Sequence, residues 1–205
     1  MARYIELRRH TDNDGDALTE EGVRAALEIG RTLAGGYTLL GSTGAQRATQ
    51  TLACCAAMLR EPVAGGAVVE PGLRSCVEDR WGEAYQRAGS GDLAALRDAD
   101  PELIKQDSAV LGAALRRVLE RLPEGGKALV VGHSPTNEAA VLGLTGEIVE
   151  PLGKGAGRAR GRRGRSDAGR AAGVTAQRSN VPISSAVANT WPPSRAPPPA
   201  CAWRP

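Results

Sequence analysis

The 205-residue chain has no phenylalanine, and tyrosine and tryptophan together bring its aromatic content to only 3%. Any core must therefore rest on Leu, Val and Ala, and the stacking platforms that hold single-stranded nucleic acid are not expected. Histidine occurs twice and cysteine four times. Cys54 and Cys55 are adjacent while Cys76 and Cys201 stand alone, a spacing that suits neither a zinc site nor a disulfide framework, so reduced thiols and no metal are expected. No run approaches the roughly 18 apolar residues that a bilayer crossing needs. Glu6, Arg8 and Arg9 interrupt what would be the apolar centre of a signal peptide, so the expectation is a cytoplasmic protein without a membrane partner.

Net charge is small only as an average. Residues 154–205 hold ten Lys and Arg against one acid, which leaves 16 against 22 in residues 1–153, so a body of net −6 carries a tail of +9. The overall value of +3 is thus no nucleic-acid footprint of a folded domain.

What is present is an alternation of strand and helix signals. Tyr4–Thr11 has period-two spacing, with Ile5 and Leu7 against Tyr4, Glu6 and Arg8, and it ends on Arg9-His10 before a polar loop. Thr19 caps a helix with Glu20 and Glu21 in its first turn and an apolar stripe of Val23, Ala26, Leu27, Gly30 and Leu33. A short strand over 37–42 leads to a helix from about Gln46 to Leu59, and Ala67–Glu70 is a further strand candidate. Residues 72–100 show no clean period and read as an irregular insertion above the sheet, a place where substrate access is usually shaped. Pro101 opens a long helix with Leu103, Val110, Leu111, Leu115, Val118, Leu119 and Leu122 inward. Lys127–Gly132 is a buried strand that delivers His133, and Ser134-Pro135 starts one more helix. The pattern predicts a three-layer α/β/α sandwich with a mainly parallel sheet in residues 1–153.

Both histidines follow strands and so lie at one sheet edge, where open α/β sheets keep their sites. Arg47 starts the helix after a third strand. The edge thus gathers His10, Arg9, His133 and Arg47 near helix N-termini, an arrangement suited to a phosphoryl group.

At these positions the chain resembles the histidine phosphatases, the phosphoglycerate-mutase-like superfamily. Leu7-Arg8-Arg9-His10 is similar to its Leu-x-Arg-His-Gly signature and Leu18-Thr19-Glu20-Glu21-Gly22 to its Leu-Thr-x-x-Gly helix start. Ser42 to Thr51 resembles its Arg-Ala-x-x-Thr block, and Val130-Val131-Gly132-His133 its second histidine motif. The four occur in order over residues 4–145. The resemblance implies a metal-independent phosphatase without a cofactor, in which His10 is the nucleophile and Arg9, Arg47 and His133, as imidazolium or N–H donor, hold the phosphoryl oxygens. Thr11 stands where the family has Gly or Ala, which would add a hydroxyl to the substrate pocket.

The family's general acid follows a Leu-x-Glu pattern, and that slot falls on Ser75. Glu78 is the acid assigned here, with Asp79 the alternative. Family members that act on phosphohistidine in proteins lack such an acid, so the implied substrate is a phosphorylated small molecule first and a phosphohistidine protein second. Residues 154–205, rich in Gly, Arg, Ser and Pro, read as a disordered tail. Its run of Arg158, Arg160, Arg162, Arg163, Arg165 and Arg170 could attract polyanions but offers no sequence readout, so specific nucleic-acid binding is not expected. A noncatalytic scaffold with a polyanion-binding tail is the reading from another class. A shifted reading frame near Gly157 is a second account of the tail, since it replaces the apolar strand that closes the family's sheet.

Overall fold

A computed structural model describes residues 2–155 and the short strand Val181–Ile183. In chain order the elements are β1 (Arg3–Arg9), β2 (Asn13–Asp14), β3 (Ala17–Leu18), α1 (Glu20–Thr32), β4 (Leu39–Ser42), α2 (Gln46–Met58), β5 (Ala67–Val69), a 3-10 turn at Pro71–Leu73, α3 (Glu78–Ala88), α4 (Leu93–Ala99), α5 (Pro101–Glu120), β6 (Lys127–Gly132), α6 (Thr136–Thr145) and β7 (Val181–Ile183). The main sheet has the order β5-β4-β6-β1-β7, with only β7 antiparallel to its neighbour. No helix among the described residues is long and apolar enough to cross a membrane.

Helices cover both faces. Leu129 and Val131 of β6 pack with Leu40, Ala48, Leu52 and Cys55 on the α1–α2 side. Ala128 and Val130, pointing the other way, join Ile5, Leu7 and the inward leucines of α5. The three-layer α/β/α architecture expected from the sequence is present.

Several local expectations differ. Residues 72–100 are not irregular: they hold α3 and α4, whose inward residues are only Trp81 and Ala84, then Leu93 and Leu96, too few to print a period. Trp81 is fixed by its indole N–H donating to Asp107 on α5 at 2.6 Å. Val23 and Val110, placed inward by their spacing, are exposed. In α1 the buried face is Gly22, Ala26 and Gly30, so Ala26 and Gly30 of the predicted stripe are buried as expected while Gly22 takes the inward place given to Val23. Cys54 and Cys55 are free, whereas Cys76 is disulfide-bonded, against the expectation of reduced thiols throughout.

β1 also departs from its pattern, because Glu6 and Arg8 are as buried as Ile5 and Leu7. The Arg8 guanidinium donates twice to Glu6 Oε1, at 2.9 and 2.6 Å, while Tyr37 Oη donates to Oε2 at 2.6 Å and Lys127 Nζ lies 3.2 Å away. Burial opposes ionisation of Glu6, but these partners outweigh it and hold its carboxyl below the usual range. The disorder expected for 154–205 falls outside the described residues except at Lys154, Gly155 and β7. β7 sets Val181 opposite Ile5 on the free edge of β1, where no strand was foreseen.

Where α5 crosses α6, a Cβ added at Gly143 would sit 1.7 Å from the Ser108 carbonyl oxygen. The backbones there cannot separate without opening the core. We expect Gly143→Ala to cost about 3 kcal/mol in urea unfolding, at the upper end of overpacking penalties; an unchanged midpoint would contradict that packing.

Candidate active site

Parallel register brings the chemistry to one place. Arg9 pairs with Gly132 and Ser42 with Val131, so β1, β4 and β6 end together. The His10 amide donates to the Gly132 carbonyl at 3.0 Å, carrying the ladder one residue past β1. Asn137 Nδ2 donates to the Arg8 carbonyl at 3.1 Å and ties α6 to the same strand end. The His10 and His133 rings consequently lie side by side at the sheet edge, with centroids 5.2 Å apart and planes tilted by 59°.

The tautomer of His10 is set by its partner. Nδ1 lies 2.8 Å from the Thr11 carbonyl oxygen, which can only accept, so Nδ1 carries the proton and Nε2 keeps its lone pair. Burial, then the positive charges of Arg47, Arg9 and Lys154, hold His10 below the ordinary histidine range against the opposing pull of that hydrogen bond. Its ring is therefore neutral and nucleophilic at pH 7. His133 Nε2 lies 3.0 Å from Thr43 Oγ1. Burial first, then Arg47 and the neighbouring His10, push His133 down to about 3, with Glu78 opposing. Of its two expected forms, this environment favours the neutral N–H donor.

Below the ordinary histidine range both depressed histidines take up protons on unfolding, so their contribution to stability is complete well above pH 6.5 and is lost as pH falls below it, for His133 down to about 3. We expect the urea midpoint to drop between pH 7 and pH 4, by at most about 1.4 kcal/mol per pH unit for each histidine, and to drop less in His133→Asn. Equal losses in the two proteins would contradict the assignment.

Arg47, 23% exposed in its side chain, starts α2 and donates to Asp16 Oδ1 at 2.6 Å, while Asp16 Oδ2 accepts the Gln46 amide. Asp16 thus caps α2 and aims the guanidinium, a role the sequence did not reveal. Arg9 Nη1 donates to the Leu152 carbonyl at 3.3 Å. Glu138, buried and with its carboxyl pushed up by burial, accepts from Ser134 Oγ and from the Leu152 amide. Leu152 so links the turn after His133 to Arg9.

Thr11 does not add its hydroxyl to the pocket. The group is 1% exposed, donates to the Gly22 carbonyl at 2.8 Å and meets Thr51 Oγ1 at 3.3 Å, because the loop must be bolted to α1 and α2. The glycine of the Leu-Thr-x-x-Gly motif allows this contact, since a Cβ at Gly22 would stand 2.0 Å from the Asp12 carbonyl oxygen. Glu78 lies at the start of α3 in an open depression lined by residues 74–80. Arg74 clamps it through Nε–Oε1 at 2.6 Å and Nη2–Oε2 at 3.2 Å, and that contact holds its carboxyl below the usual range. Asp79 is exposed beside it.

Comparison with solved structures places the fold. The chain is similar to Bacillus stearothermophilus YhfR (16% identity, 69% of this chain and 79% of that one, TM-score 0.51). It is also similar to the phosphoserine phosphatase of Entamoeba histolytica, solved with 3-phosphoglyceric acid (17% identity, 69% and 79%, TM-score 0.50). The chain has the fold of the phosphoglycerate-mutase-like histidine phosphatases. No protein-family model and no curated protein matches its sequence.

Proposed function

We propose that the chain is a cytoplasmic, metal-independent phosphatase that hydrolyses phosphomonoesters through a phosphohistidine on His10. The observation that carries this reading is the His10 tautomer: a neutral, buried imidazole whose Nδ1 is engaged by Thr11 and whose Nε2 lone pair is free to attack, beside His133 at the sheet edge. Arg9 and Arg47 supply positive charge to the phosphoryl oxygens, and His133 supplies an N–H as charge builds on them. Residues 1–153 form the catalytic domain, and residues 154–205 are an appended tail.

A second reading has its own observation in favour. The resemblance puts Ser75 in the acid slot, and the Arg74 contact holds the Glu78 carboxyl below its usual range, so a substrate whose leaving group needs no proton, such as a protein phosphohistidine, suits the site as it stands. Phosphate release by the full chain with EDTA present separates the two. Turnover of alkyl phosphate monoesters supports the first, while turnover of phosphohistidine alone supports the second. A folded protein inert to both would favour the scaffold reading.

A further inference from the structure

We propose that Thr43 sets the tautomer of His133: its hydroxyl donates to Nε2, the ring proton is thereby held on Nδ1, and that N–H is the one offered to a phosphoryl oxygen. Thr43 is then a positioning residue for the phosphatase reading above, on which the inference rests.

The backbone places both partners. Ser42 pairs with Val131, which sets Thr43, the next residue, level with Gly132 and beside His133. A Cβ added at Gly132 would stand 3.2 Å from Thr43 Cγ2, so the threonine methyl lies against this strand end. Branching at Cβ leaves such a side chain little freedom, and its Oγ1 is directed at His133 Nε2, 3.0 Å away. The His133 carbonyl accepts from the Asn137 amide at 2.7 Å and from Thr136 Oγ1 at 3.2 Å. α6 therefore holds the histidine's backbone, while Thr43 holds its ring.

Hydrogen-bond accounting places the proton. Thr43 is buried, and among the described residues its Oγ1 has no hydrogen-bond partner except His133. His133 Nδ1 is buried and, among the same residues, has no partner at all. If Nε2 carried the proton, the hydroxyl would lack an acceptor for its own hydrogen and Nδ1 would be a bare lone pair, leaving two groups unsatisfied. With the hydroxyl donating, the Nδ1–H alone is unsatisfied. The neutral ring favoured by this environment carries a single proton, so the two arrangements exclude each other.

Sheet order gives that N–H its direction. β6 lies between β4 and β1. The two nitrogens of an imidazole point apart, so with Nε2 turned to Thr43 at the end of β4, Nδ1 turns away from β4, to the side on which β1 delivers His10. A phosphoryl group passing to His10 Nε2 supplies the missing acceptor. An N–H fixed there beforehand stabilises charge as it builds on the oxygen, whereas a lone pair would repel it.

The test uses the untagged full chain with isotope-labelled histidine, beside Thr43→Val, which is isosteric without the hydroxyl, and Thr43→Ser, which keeps it. Circular dichroism checks each fold. The chain has two histidines, so nitrogen–proton correlation NMR resolves both rings, and His133→Asn assigns them. Above the ordinary histidine range, where both rings are neutral, we expect His133 to show a protonated Nδ1 and a lone pair on Nε2 in the parent and in Thr43→Ser. Thr43→Val should move the proton towards Nε2 and lower kcat on p-nitrophenyl phosphate by about a hundredfold, with Thr43→Ser within about threefold of the parent; a hundredfold is the low end of what losing one transition-state donor costs. A protonated Nε2 in the parent, or a Thr43→Val protein with its tautomer or its kcat unchanged, overturns this assignment and leaves the phosphatase reading standing. No turnover of any phosphorylated substrate by the folded parent overturns that reading and the positioning role with it.

Discussion

We expect His10→Ala to abolish phosphate release from every ester the parent hydrolyses, by about four orders of magnitude, the scale on which removal of a covalent nucleophile is felt. The proposed mechanism puts the loss in kcat, because it assigns phosphoryl binding to Arg9, Arg47 and the His133 N–H, which the variant retains. The fold survives: removing the imidazole also removes the hydrogen bond to Thr11, but the Thr11 amide, its hydroxyl and the His10 backbone keep their partners. Steady-state kinetics together with a binding measurement for orthovanadate check both halves. A variant that still turns over at a tenth of the parent rate would remove His10 from the nucleophile's role.

Glu6→Leu destabilises the fold by about 3–5 kcal/mol, the cost of leaving buried charge without its partner. Arg8 and Lys127 both depend on this carboxylate, and Tyr37 donates its hydroxyl to it. Against a total stability of about 5–15 kcal/mol for a domain, such a loss leaves little. Urea unfolding of Glu6→Leu measures it, and Glu6→Leu/Arg8→Met should recover at least half, because the more deeply buried of the two orphaned cations is then gone and only Lys127, with 16% of its side chain exposed, is left without this partner. A single variant as stable as the parent would show that the cluster is solvated rather than buried.

That cluster also marks the limit of what the chain discloses. The alternation of Glu6 and Arg8 with Ile5 and Leu7 correctly signals a strand, but period two reports polarity and not exposure, and here the polar side is covered by α1 and α2. The edge that carries the candidate site was legible for a related reason. Buried parallel strands are near-continuous apolar runs, and Lys127–Gly132 announces where it stops, so His133 could be placed at a strand end. Register then brings Arg9 and Ser42 level with Gly132 and Val131.

What could not be read were contacts made between distant residues by short polar side chains. Thr43 against His133, Asp16 against Arg47 and Thr11 against Gly22 are examples. None has a local period. Arg74 escaped for another reason: its segment takes its geometry from β5 and the buried Leu73, not from any helical spacing of its own. Val110 shows the opposite error, an apolar residue placed inward by its spacing that turns to solvent.

The central claim is the covalent intermediate, and rapid mixing with O-phosphoserine or p-nitrophenyl phosphate followed by an alkaline quench and peptide mass spectrometry tests it most directly. A phosphoryl group on the peptide containing His10, stable in base, labile in acid and absent from His10→Ala, is the predicted result. Turnover with the phosphoryl group on another residue, or with no phosphorylated peptide at any quench time, would contradict it.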